Sequence, residues 1–200
     1  ISIGSAALVC VMYVVIISFS PYHLSMKSME NLAASRIKTI SRMIHVYKEK
    51  SGGKSFLVGN DPDIPNAGKF CGLYFDVDDK GEGLFLISKA TAQADYRSDG
   101  TYIRSDKTRV EFLPKPVQGY WFALMKYHHD DIIKIPYNQE IAQDQFAVVA
   151  FPVEYGTSGR YTFIINERGI VYTKDTGNGN YLEMYPATNP ETKSWKKVQE

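Results

Sequence analysis

The hydrophobic pattern of the chain changes twice. From Ile1 to Phe19 no side chain is charged, and Leu8 to Ile17 is unbroken apolar sequence. About twenty residues rising 1.5 Å each match the roughly 30 Å hydrocarbon core of a bilayer, so this stretch predicts a membrane helix, whose backbone hydrogen bonds lipid would enforce. After Pro21 the apolar residues Met26, Met29, Ala33, Ile37, Ile40, Ile44 and Tyr47 recur at steps of three and four. That spacing is one stripe of an amphipathic helix, and Ser51-Gly52-Gly53 supplies its stop. If Pro21 only kinks the chain, residues 1–50 form one rod of about 75 Å.

From Lys54 onward the pattern is short strands and turns. Phe70 to Val77 and Leu84 to Ser88 flank a polar Asp/Gly stretch and predict a hairpin; Thr101 to Arg104 and Arg109 to Leu113 predict a weaker one. Gly119 to Tyr127 and Gln145 to Phe151 predict strands, the second ending at Pro152. Tyr161 to Ile165 and Ile170 to Thr173, joined through Asn166-Glu167-Arg168-Gly169, form the clearest hairpin. The tail from Asp175, rich in Gly, Asn, Pro and Lys, predicts an ordered loop that ends near Trp195.

Composition narrows the function classes. With 44% apolar and 22% charged residues the 200-residue chain folds, and a net charge of +1 gives no field to attract nucleic acid. Fourteen tyrosines favour β-structure, where amphipathic rings pack on a pleated face. The amphipathic helix carries Lys27, Arg36, Lys38, Arg42, Lys48 and Lys50 against Glu30 and Glu49. Attraction to anionic headgroups and a solvated face both account for that bias, and the even spread of the charges favours the solvated face. Cys10 in the apolar stretch and Cys71 far along the polar part predict no internal disulfide.

No catalytic constellation emerges. His128-His129-Asp130-Asp131 suggests a metal or acid/base site, but adjacent strand residues point to opposite faces, so an exposed hairpin end is the simpler reading. Around Asp76-Val77-Asp78-Asp79-Lys80-Gly81 a calcium loop fails, because Lys80 and Ile87 occupy ligand positions. Asp175-Thr176-Gly177-Asn178-Gly179-Asn180 has three oxygen side chains at loop spacing, compatible with calcium or with a polar turn. In Gly156-Thr157-Ser158-Gly159-Arg160 an arginine stands where a nucleophile elbow needs glycine. No cofactor, structural metal or enzymatic reaction is expected. The chain opens at Ile1 without methionine or a basic leader, which suggests a cut in front of the hydrophobic segment or a truncated sequence.

The apolar start, Pro21, the amphipathic half and the β-rich remainder together resemble a type IV pilin or pseudopilin. The resemblance implies an α+β fold: a long N-terminal, transmembrane-type helix (1–20 apolar, 21–50 amphipathic) carrying an extracytoplasmic antiparallel β-meander head (51–200). It implies a structural subunit of a filament, assembled with copies of itself through Ile1, Ser5, Leu8, Val11, Val15, Phe19 and Pro21, and held in the inner membrane before assembly. Ser5 stands where such proteins usually carry glutamate, so it offers a hydrogen bond in place of an ion pair. The alternative is a single-pass accessory subunit docking its head on a larger membrane complex. Residues 117–200 also resemble an uncharacterised bacterial family of secreted or anchored proteins, through Gly119-Tyr120-Trp121-Phe122, Phe146 to Gly159, Thr162 to Asn166, Gly169 to Asp175 and Ser194-Trp195-Lys196. That family implies no reaction.

Overall fold

The computed structural model describes residues 24–50, 69–75, 83–103, 109–129, 134–137 and 144–199. Helix α1, Met26–Lys50, begins where the Ser25 hydroxyl accepts the Ser28 amide, and buries Ala33, Ile37, Ile40, Ser41 and Ile44. The period read from the sequence is therefore the packing face. Each buried isoleucine contributes about 1.5–3 kcal/mol relative to an exposed one.

That face lies across a five-stranded antiparallel sheet made of β3 (Tyr120–Leu124), β6 (Ala147–Pro152), β7 (Tyr161–Asn166), β8 (Tyr172–Asp175) and β9 (Lys196–Lys197), in that spatial order. Register pairs Phe122 with Ala150 and Ala150 with Phe163, which puts all three on one side. Trp121, Phe151, Val149 and Ile164 occupy the other. All six residues of β6 are buried, so the central strand is covered on both sides. A tight turn precedes β3. Val117 and Tyr120 exchange both backbone hydrogen bonds around Gln118 (φ 51°) and Gly119 (φ 78°), the mirror-image turn that suits the twist of paired strands.

Two short helices, a 3-10 helix at Pro190–Lys193 and two separate hairpins complete the described elements: α2 (Cys71–Phe75), α3 (Lys89–Gln93), β1 (Thr101–Ile103) with β2 (Arg109–Glu111), and β4 (Tyr127–His129) with β5 (Lys134–Pro136). Ser88 caps α3 through the Thr91 amide. After α3, Asp95 bridges in parallel to Phe122 on the outer side of β3.

The transmembrane-type, pilin-like fold class is corrected by these elements. The described helix is a 25-residue element over Met26–Lys50, and among the described residues no helix is long and apolar enough to cross a membrane. Eight charged side chains along α1, from Lys27 to Lys50, are the physical reason. The apolar segment expected over residues 1–20, together with Pro21, lies outside the described residues. The head is also more than a meander, because β4–β5 forms its own sheet between β3 and β6 in the chain. Phe70–Val77, expected as a strand, contains helix α2. Leu84–Ser88, expected as its partner strand, forms no strand, although the Leu86 amide donates to the Leu73 carbonyl. The strands expected from residue 101 onward and the 161–173 hairpin lie where the pattern placed them, within one to three residues.

Candidate functional site

The assembly residues expected from the N-terminal segment, Ile1, Ser5, Leu8, Val11, Val15, Phe19 and Pro21, all lie outside the described residues, as does Cys10. Cys71 is buried in α2. His128 is half-buried in β4, its ring 5.4 Å from that of Tyr137, and Asp130-Asp131 again lie outside the described residues.

The loop that offered three oxygen side chains uses two of them, those of Asp175 and Asn178, internally. Asp175 accepts hydrogen bonds from the Tyr155 hydroxyl at 2.9 Å and from the Gly177 amide, and Asn178 accepts from the Asn180 amide. These contacts hold the Asp175 carboxyl below its usual range, the Gly177 amide contributing most. The arrangement is that of successive side-chain-to-backbone turns, and among the described residues no group of three His, Cys, Asp or Glu is placed to hold a metal. Ser158, the would-be nucleophile, donates to the Glu154 carbonyl and accepts the Glu154 amide, so its hydroxyl closes its own turn.

Among the described residues three concave features bear on a site. One, about 930 Å³, is an open groove between α1 and the C-terminal edge, lined by Asn31, Lys38, Ile170 and Val198. A second groove of about 320 Å³ runs between α1 and α3. There the half-buried Arg36 guanidinium donates to Thr91 Oγ1 and to Gln118 Oε1 at 2.8 Å. Burial lowers its pKa, although an arginine stays charged regardless.

The third is smaller, about 160 Å³, and the most polar in chemistry. It is assembled from distant parts of the chain: Tyr137 after β5, Gln145 before β6, Asn166-Glu167-Arg168 in the β7–β8 turn, and Tyr185 to Thr188 in the tail. The turn is set by Gly169 at φ 73° and by the Arg168 amide bonding to Asn166 Oδ1. His45 of α1 reaches the Glu167 carbonyl at 3.1 Å, tying the turn to the helix. The hairpin wall is held where the Tyr137 amide donates to the Lys126 carbonyl and the Tyr185 amide to the Tyr127 carbonyl. Burial, with the Glu167 carboxylate nearby, pushes the Tyr137 phenol well above its ordinary range; burial does the same for Tyr185, with Tyr172 and Glu167 adding to it. Both phenols therefore remain protonated donors throughout the physiological range. Sequence reading singled out His128 of this group but neither tyrosine, since nothing local marks residues that meet only through the fold.

On the sheet side that carries Trp121 and Phe151, Tyr96 sets its ring 5.0 Å from Phe151 and 5.5 Å from Tyr181. Tyr96 is 49% exposed, and the cluster opens to solvent there.

No curated protein and no solved structure matches the chain. The model of a family described as a protein of unknown function, DUF2950, matches residues 46–198, which begins inside α1 and takes in the sheet, the small polar pocket and the tail. The similarity thus reaches well upstream of residue 117, where the sequence resemblance began, and the chain belongs to the DUF2950 family.

Proposed function

We propose that the chain is a membrane-tethered accessory subunit whose head, outside the cytoplasm, docks on a larger complex. The observation that supports this reading over a filament of like copies is the use α1 makes of its apolar surface. Ala33, Ile37, Ile40 and Ile44 are at most 3% exposed, all turned into the chain's own sheet. The outer face presents Lys27, Asn31, Ser35, Arg42, Glu49 and Lys50 to solvent, with no apolar seam for a second copy. A filament whose copies packed through α1 as well as through residues 1–21 would have to desolvate those charges at several kcal/mol per ion. The uncharged segment from Ile1 to Phe19 supplies the tether, and the exposed Tyr96 cluster has the aromatic character that interface cores favour.

Solubilisation of native membranes in mild detergent tests the reading. Co-purification of the full chain at fixed stoichiometry with different polypeptides, lost in a folded Tyr96→Glu variant, is the expected result. Sedimentable filaments containing this chain alone would overturn it.

A further inference from the structure

Tyr137 and Tyr185 are 3% and 4% exposed, and both are walls of the 160 Å³ pocket. Neither phenol hydroxyl makes a hydrogen bond among the described residues, although neither oxygen is sealed from solvent. Two tyrosines whose hydroxyls no described protein group engages line one small polar space, and a ligand that displaces water there finds both phenols free to bond it.

The charges around the space select what that is. Glu167 Oε1 stands 3.8 Å from Arg168 Nε and 3.4 Å from Asn166 Nδ2. A small anion entering here meets the carboxylate, and a small cation meets the guanidinium, so neither charge sign is favoured. A neutral ligand carrying several groups that both donate and accept matches the set better. The phenols and the Arg168 guanidinium donate, the Glu167 carboxylate accepts, and the Asn166 and Gln145 amides do both. Two tyrosine rings give the pocket flat apolar wall as well, suited to the C–H face of a ring that is polar only around its edge. A volume of about 160 Å³ equals about five waters at roughly 30 Å³ each, well short of a drug-sized cavity.

We propose that the pocket between the β4–β5 hairpin, the β7–β8 turn and residues 185–188 binds a single neutral sugar ring, with Tyr137, Tyr185 and Glu167 as its principal hydrogen-bonding partners. The site stands apart from the docking role, since the Tyr96 cluster is built from other residues, and it would persist if that role were wrong.

The test uses the full chain in nanodiscs of phosphocholine lipid, which contain no sugar, followed by saturation-transfer NMR and calorimetric titration. The probes are D-glucose, D-galactose, D-mannose and N-acetyl-D-glucosamine, with sodium acetate and ethylammonium chloride as charged controls. At least one sugar is expected to bind saturably and to be displaced by neither control. Tyr137→Phe and Tyr185→Phe, which keep the rings, should each weaken it about three- to tenfold, and Tyr155→Phe should leave it unchanged. Should either phenylalanine variant fail to fold, Glu167→Gln, at a turn beside the exposed Arg168, is expected to weaken binding by a similar factor. The proposal is overturned if no sugar binds up to about 50 mM, a concentration that would reveal affinities near 1.8 kcal/mol, if acetate binds in preference, or if binding is indifferent to the folded variants.

Discussion

Replacing Asp95 by asparagine should change how stability depends on pH in a way that identifies this one carboxyl. Asp95 is 1% exposed and accepts the Phe70 amide at 2.8 Å and the Arg97 amide at 3.0 Å. Removal from water raises its pKa from 3.8 to about 6, outweighing those two amides and the charges of Arg97 and Lys69. Both cations are engaged elsewhere, Arg97 with the Leu124 carbonyl and Lys69 with Asp99 at 2.9 Å. Because the folded pKa lies above the unfolded one, the contribution of this group is complete below about pH 3.8 and is lost as pH rises through about 6. The difference of 2.2 units (6 − 3.8) corresponds to about 3 kcal/mol. Urea unfolding of wild type and Asp95→Asn at pH 7 and pH 4 cancels the other titrating groups. Because pH 4 lies just above the unfolded pKa, part of that difference is already spent there, and between the two values the wild type should gain about 2 kcal/mol relative to the variant, about 1 M in urea midpoint for an m-value near 2 kcal/mol/M. A difference independent of pH, or one that favours the wild type more at pH 7, would refute the account and show the two amides prevailing over desolvation.

Two further outcomes test the packing. Ile40→Ala, at a residue 0% exposed in the centre of the α1 stripe, should cost about 2–5 kcal/mol by the same urea assay, with a loss below 1 kcal/mol showing that the stripe is not the contact face. Gly159→Ala would place its Cβ on the Tyr120 hydroxyl, which donates to the Tyr161 carbonyl at 3.0 Å, and should cost about 1–3 kcal/mol; pairing it with Tyr120→Phe, which removes the nearest clashing atom and leaves the ring carbons Cζ and Cε2, should recover part of the loss, and no recovery would place the strain elsewhere.

What the sequence determined by itself is what local periodicity can specify. The recurrence at steps of three and four through Ala33, Ile37, Ile40 and Ile44 is the buried face of α1, because side chains three and four apart share one side of a helix whatever they meet. The runs ending at Pro152 and turning at Gly169 are strands β6 and β7–β8, since a missing amide hydrogen and a positive φ are written in the residue types. Tertiary structure decided the rest. Cys71–Phe75 is a short apolar run that reads equally as strand or helix, and it settles as helix where Asp95 accepts the Phe70 amide and the Leu86 amide donates to the Leu73 carbonyl. Lys196–Lys197 has no strand character, yet it pairs with Thr173 and Tyr172 because burial of Trp195 and the Val198–Val171 hydrogen bond bring it to that edge. The polar pocket lies furthest from sequence reading. Tyr137, Glu167 and Tyr185 are 30 and 18 residues apart in sequence (167 − 137 and 185 − 167), and only the close of the hairpin, the turn and the tail around the same space gives their polar groups a common target.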